Sequence, residues 1–315
     1  MSCYHHLTIE ERENLYGFLQ KGLKIREIAR ALGRSASTIS RELKRNEAYL
    51  PIQAQRRYLE QRKRCVRTYR LSDAALEADV RFCLGHLYWS PEQISSRFKL
   101  EKAQTIGTST IYRALDSGLL RDTLQYYLRF KYKKIGKAKK KGRRCFARRI
   151  EERPAEANDR SEFGHWEGDN IVSHKSKPVI TTLVDRKSRF LTAGKASCKE
   201  AAEQRKVVVR LLEKTGTPVR SITFDQGSEF ADAAGMEEDL NTLVFFANPH
   251  APWERPTNEN TNGLLRQFIP KHTDLNQISE KDLSRFVALL NMRPRKCLNW
   301  LTPYEVFSGS LLHFT

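Results

Sequence analysis

Near residue 160 the hydrophobic pattern changes period, and that break constrains the fold more than any other feature of the chain. Upstream, apolar residues recur at three- and four-residue intervals, as on amphipathic helices. Downstream they come in short β-branched and aromatic runs separated by polar turns, the pattern of strands. One uniform layer cannot hold both, so the expected fold class is multidomain, α followed by α/β. The 315 residues give room for two or three cores. The expected organisation is a helix-turn-helix domain at 1–50 and a basic helical connector with a candidate second helix-turn-helix at 51–120. A basic linker at 121–158 and an α/β domain at 159–315 follow. No apolar run reaches the roughly 18 residues of a membrane span, and MSCYHHLTIEERENLYGF lacks the apolar core of a targeting peptide. The six cysteines stand singly, with no C-x-x-C pair, so reduced thiols are expected and a zinc site is not.

Charge is divided as unevenly as periodicity. Residues 1–150 carry 34 Lys+Arg against 14 Asp+Glu, whereas 151–315 carry 22 against 23. The net +19 therefore belongs to the helical half. Residues 121–150 alone hold 13 basic side chains and one acid. Such a run is commonly a solvated segment, but Lys and Arg also displace the counterions condensed on nucleic acid. No amphipathic anchoring helix accompanies the charge, which favours nucleic acid over a membrane surface.

In HHLTIEERENLYGFLQKGLKIREIARALGRSASTISRELKRN, Thr8 and Glu11 make a T-x-x-E capping box. The first helix carries Leu15, Phe18 and Leu19 on one face and ends at Gly22. A second carries Ile25, Ile28 and Leu32 and ends at Gly33. Ser35 caps a third, in which Ile39 and Leu43 point inward and Ser37, Thr38, Arg41, Lys44 and Arg45 point out. That mixture suits base edges and phosphates in a major groove, although a plain three-helix unit would also have a solvated face. A weaker copy of the plan follows in WSPEQISSRFKL and TSTIYRALDSG, with Arg113 outward.

The second half reads as three strands, helix, strand, helix, strand, helix. Asp169 lies in or at the end of the first strand, and Asp225 ends the fourth. Were those strands neighbours, the two carboxylates would repel unless a cation lay between them. Glu259 opens a helix in HAPWERPTNENTNGLLRQF, where it serves either as part of a cap or as a third oxygen ligand for Mg²⁺ or Mn²⁺. The flanking asparagines are expected to cap that helix and orient the glutamate. Arg266, seven residues on, shares its face and suits an adjoining phosphate.

HWEGDNIVS, ITFDQGSEF and APWERPTNENTNGLLRQFIPK resemble the DDE transposases of bacterial insertion sequences, the IS-thirty group. LTIEERENLYGFL, WSPEQIS and LNMRPRKCLNWLTPYEVF extend the resemblance over nearly the whole chain. It implies an RNase H-like catalytic core and a catalytic, metal-binding triad falling on Asp169, Asp225 and Glu259, with 33 residues between the last two. It implies two divalent ions, Mg²⁺ or Mn²⁺, and cleavage and joining of double-stranded DNA at the terminal repeats of the element. A homodimer or larger assembly on DNA and a cytoplasmic, nucleoid-associated location follow from that role. The chain departs from the family pattern at Gln226, Pro256 and His272. The alternative reading is a sequence-specific DNA-binding regulator with a catalytically inert core.

Among rival acids, Glu167 shares the strand face of Asp169, and Asp185 is accounted for by the DRKSR turn. Glu229 suits the start of a helix, where the dipole favours an acid. Glu254 is expected to be solvated, and His165 to be a core hydrogen-bonder rather than a ligand.

Overall fold

The computed structural model describes residues 5–46, 48–65, 70–101, 105–120, 148–248, 251 and 254–312. Most of the basic run, 121–147, lies outside the described residues, as do His250 and Trp253. The chain forms two compact units, Met1–Ser72 and Asp73–Thr315.

In the first unit, α1 (Ile9–Gln20) starts at the Thr8–Glu11 capping box, both of whose hydrogen bonds are present. The chain turns at Gly22, with φ of 74°, into α2 (Ile25–Ala31), and again past Gly33 into α3 (Ala36–Arg45). The Ser35 hydroxyl accepts from the amide of Thr38, capping α3. Leu7, Leu15, Ile28, Ala29 and Ile39 make the small core. A fourth helix, α4 (Pro51–Cys65), packs on α1.

The second unit opens with three more helices, α5 (Ala74–Gly85), α6 (Pro91–Glu101) and α7 (Thr108–Asp116). The expected connector at 51–120 is thus divided between the units. α4 is held by α1, whereas α6 is held from below by Arg97, whose guanidinium pairs with the buried carboxylate of Glu305. Short α8 (Ala155–Asp159) leads into the sheet.

The sheet contains β1 (His165–Ile171), β2 (Val179–Asp185), β3 (Leu191–Ala196), β4 (Ser221–Phe224) and β5 (Leu243–Phe246), in the order β3-β2-β1-β4-β5. β1, β2 and β3 pair antiparallel, and β4 and β5 lie parallel beyond β1. This is the RNase H-like arrangement. Asp185 makes the hairpin turn between β2 and β3, accepting from the amides of Ser188 at 2.7 Å and Gly164 at 3.0 Å.

α9 (Ala201–Glu213) and α10 (Ala233–Leu240) cover one face, over Trp166, Leu183, Ile222, Phe224 and Val244. α11 (Pro256–Leu265) and α12 (Glu280–Asn291) cover the other, over Ile171, Ile180, Val184 and Leu191. β2, buried along its whole length, is apolar or hydroxylated at six of its seven positions, as burial on both faces requires. A last helix, α13 (Pro303–Ser308), closes the unit. Among the described residues no helix is long and apolar enough to cross a membrane.

Candidate active site

The two aspartates meet because β4 returns to pair with β1. Glu167 lies opposite Thr223 in the parallel ladder, so two residues further on Asp169 faces Asp225, just past the end of β4. Gly168 lets the strands close at this point. A Cβ there would sit 2.1 Å from the Phe224 ring, which fills the space instead. Asp169 accepts from the amide of Asn170 at 2.8 Å and from Asn262 Nδ2 at 3.0 Å. Burial raises the Asp169 carboxyl above the ordinary aspartate range; Arg255 opposes the rise and the charge of Asp225 adds to it.

Arg255, which the sequence did not single out, supplies the cation between the strands. Its Nη2 lies 3.4 Å from Asp225 Oδ2, and its Nη1 donates to the Gly168 carbonyl at 2.8 Å. Asp225 also accepts from the amide of Gly227 at 3.1 Å. Glu229 folds back over the same glycine: a Cβ on Gly227 would lie 2.6 Å from Glu229 Oε2 and 2.9 Å from Asp225 Oδ1. Glu229 belongs to a short 3-10 turn and pairs with Lys199 at 3.1 Å, so it is not the helix cap that the sequence suggested.

The asparagines of the NEN string do not cap. α11 begins one turn earlier, at Pro256, and Asn258 sits inside it. Asn258 is buried with its amide donating to Glu167 Oε2 and its Nδ2 to the Glu167 carbonyl, both at 2.9 Å. Glu167, fully buried and paired with Arg186, is thereby a support of α11 rather than a rival of Asp169. Asn262, one turn beyond Asn258, carries the contact to Asp169. The four-residue interval between two asparagines facing the sheet was the available signal in the sequence.

Glu259 is exposed on the first turns of α11. Among the described residues it has no hydrogen bond or ion pair to either aspartate, and no three His, Cys, Asp or Glu side chains converge as a metal cage. Intervals of three and four residues nonetheless align Arg255, Glu259, Asn262 and Arg266 along one edge of the helix. Three of these four reach the site. Arg255 meets Asp225, Asn262 meets Asp169, and half-buried Arg266 donates to the Val172 carbonyl at 3.0 Å while feeling the charge of Asp169. Arg266 is the residue closing α11, tied to the end of β1 rather than standing free.

Of the remaining expected residues, Ser37, Arg41, Lys44 and Arg45 are exposed on α3, and Thr38 is half-buried with its hydroxyl 2.8 Å from that of Ser35. Arg113 is exposed on α7. Glu254, expected to be solvated, accepts from the amide of Asn248 at 2.7 Å. His165 is buried with Nδ1 2.7 Å from the Ser221 hydroxyl, a core hydrogen bond as expected.

Comparison with known proteins now bears on this geometry. Residues 3–46 match the model of a helix-turn-helix domain family. The transposase for insertion sequence element IS1086 of Cupriavidus metallidurans is 35% identical, over 99% of this chain and 97% of that one. Transposase InsI for element IS30A of Escherichia coli is 35% identical, over 96% and 83% of the two chains. The transposase for element IS4351 of Bacteroides fragilis is 35% identical over 96% and 95%. The chain belongs to the IS30 family of insertion-sequence transposases. It is a DNA-binding polynucleotidyl transferase with an N-terminal helix-turn-helix and an RNase H-like core. Membership implies a divalent metal cofactor. The facing carboxylates of Asp169 and Asp225 fit such an ion: both are hard oxygen donors, and their repulsion is now relieved by the guanidinium of Arg255. The fold thus places Asp169 and Asp225 opposite each other, with Glu259 exposed on the adjoining helix.

Proposed function

We propose that this transposase binds the terminal repeats of its own element and cleaves and joins DNA at a site formed by Asp169, Asp225 and Glu259. The observation that carries the reading is the shared helix edge, on which Glu259 stands between Arg255, bound to Asp225, and Asn262, bound to Asp169. Helical side chains lean toward the N-terminus, so Glu259 leans toward the end where Arg255 meets Asp225. The three carboxylates would hold Mg²⁺ or Mn²⁺, two ions in the working complex, which lend positive charge to a phosphodiester under attack. Asn262 keeps Asp169 oriented. Arg255 neutralises Asp225 while no DNA is bound, and Arg266 offers a donor to a neighbouring phosphate. Ser37, Thr38, Arg41, Lys44 and Arg45 on α3 would read the element ends, with Arg113 on α7 contributing from the second module. The basic linker at 121–158 would grip phosphates, between the helical modules and the catalytic domain at 159–315. Two ends must be joined, so the chain would act as a homodimer or larger assembly, in the cytoplasm and on the nucleoid.

The test is Glu259→Gln beside Asp169→Asn and Asp225→Asn, on labelled ends of the element with Mg²⁺ or Mn²⁺. Each should lower cleavage and joining by about 10²–10³ or more, and the triple variant little further, because the three act as a unit. Mn²⁺ binding followed by electron paramagnetic resonance should weaken in parallel, while gel shifts without metal stay unchanged. Near wild-type cleavage by folded Glu259→Gln would refute the triad. Absence of cleavage by the unaltered protein, with binding intact, would favour the inert regulator.

A further inference from the structure

The first unit contains a polar cleft beside α3, walled in part by residues that the helix-turn-helix reading also assigns to DNA. It lies between α3 and α4, has a volume of about 90 Å³, and is lined by Thr38, Arg41 and Arg45 on one wall and Arg57, Tyr58 and Gln61 on the other. About 10–15 Å³ of such space suffices for one water, so this cleft admits an anion of several atoms. The wall residues of α3 recur at 38, 41, 42 and 45, the spacing of a single helical face. Ser37, Ser40 and Lys44 lie on a different, exposed face. The helix therefore presents two polar surfaces, and Arg41 and Arg45, though they wall the cleft, are themselves exposed.

Charge decides what the cleft can hold. Its one carboxylate, Glu42, is committed to Arg12: Arg12 Nε lies 2.7 Å from Glu42 Oε1, both are buried, and the Arg12 guanidinium stacks 5.0 Å above the Tyr58 ring. Arg12 also donates to Gln55 of α4 and to the Leu7 carbonyl, each at 2.5 Å, which locks α4 against α1 and keeps the cleft formed. Arg41, Arg45 and Arg57 remain, and among the described residues none of them has a carboxylate partner. Among the described residues Arg57 donates to the Arg45 carbonyl at 3.2 Å and to Asn46 Oδ1 at 3.4 Å. Three guanidinium groups gathered on one small cavity repel one another unless an anion lies among them. A phosphate oxygen pair matches the planar fork of arginine in two parallel hydrogen bonds.

We propose that the α3–α4 cleft seats a backbone phosphate of duplex DNA, so that α4 clamps the strand flanking the groove entered by α3. The proposal rests on the reading that the first unit binds DNA. It assigns Arg57 of α4 a sequence-independent grip and leaves base reading to the exposed side chains of α3, Arg41 among them.

The full chain, without metal, is titrated with a duplex of mixed random sequence at several salt concentrations. Arg57→Ala should lower affinity for all sequences alike. The slope of log affinity against log salt should become shallower by about 0.9, so that the wild-type advantage shrinks about 3.5-fold between 50 and 200 mM salt. Arg57→Gln, closer in size, should behave the same, with thermal melting of both variants establishing that they are folded. A folded variant with unchanged affinity and slope overturns the phosphate seat alone. A changed sequence preference at unchanged slope also overturns it, because Arg57 would then read bases. If the wild-type chain binds no duplex at all, the seat and the DNA-binding reading fall together.

Discussion

Arg97→Met tests the link between α6 and α13. Arg97 and Glu305, on α6 and α13, are buried together, with side chains 3% and 1% exposed. The pair is a fork: Nη1 to Oε2 at 2.9 Å and Nη2 to Oε1 at 2.5 Å. The same guanidinium donates to the carbonyls of Trp300 at 3.1 Å and Leu312 at 2.8 Å, and its Nε pairs with Glu101. Summing these bonds singly, at about 1.5–3 kcal/mol each for charged partners, overstates the loss. Glu305 retains the amides of Thr302 at 2.7 Å and Leu312 at 2.8 Å as donors. What it loses is its cationic partner. Removing one partner of a buried pair costs about 3–5 kcal/mol, and for a unit of this size that is roughly a 6–20 °C fall in Tm. Calorimetry and urea unfolding of the full chain measure it. The double variant Arg97→Met, Glu305→Leu should recover part of the loss, since these two charges leave together while Glu101 still loses its partner. Burial pushes the Glu305 carboxyl up, but the hydrogen bonds from Arg97 and the Thr302 and Leu312 amides outweigh it, and the net shift is downward. A depressed acid stabilises above its unfolded value and loses that contribution as pH falls through the folded one. The gap between wild type and Arg97→Met should therefore narrow below about pH 4.3. A loss under about 1 kcal/mol at neutral pH, or a gap that widens in acid, would refute the reasoning.

Two further outcomes can be checked. Gly168→Ala puts a methyl 2.1 Å from the buried Phe224 ring, so it should destabilise the fold by about 1–3 kcal/mol and lower DNA cleavage more than DNA binding; unchanged melting would show that the ring moves freely. Arg41→Ala should cost about 1–3 kcal/mol of binding to the element end and relax preference at one base pair, and equal weakening on every sequence would make Arg41 a phosphate contact only.

Local interactions were legible in the amino-acid string because they span four residues or fewer. The Thr8–Glu11 box, the Ser35 cap, the glycine turns at 22 and 33 and the Asp185 hairpin all appear where the sequence predicts them. So does the order of strands and helices in the second half, since burial on one face or two writes itself into periodicity. The family resemblance of the NEN string and the strand-end aspartates was likewise readable. What only tertiary structure decided are pairings between distant segments. Periodicity says that β4 exists but not that it passes over to lie beside β1, and that crossing is what sets Asp225 opposite Asp169. Nor does it say that Asn258 is buried on Glu167 inside α11, because a cap and an interior helix position use the same residue type. Arg97 and Glu305 stand 208 residues apart, and Arg57 meets α3 only because Arg12 locks α4 in place. Hydrogen bonds and charges act through space, so their partners are chosen by the path of the backbone rather than by neighbours along the chain.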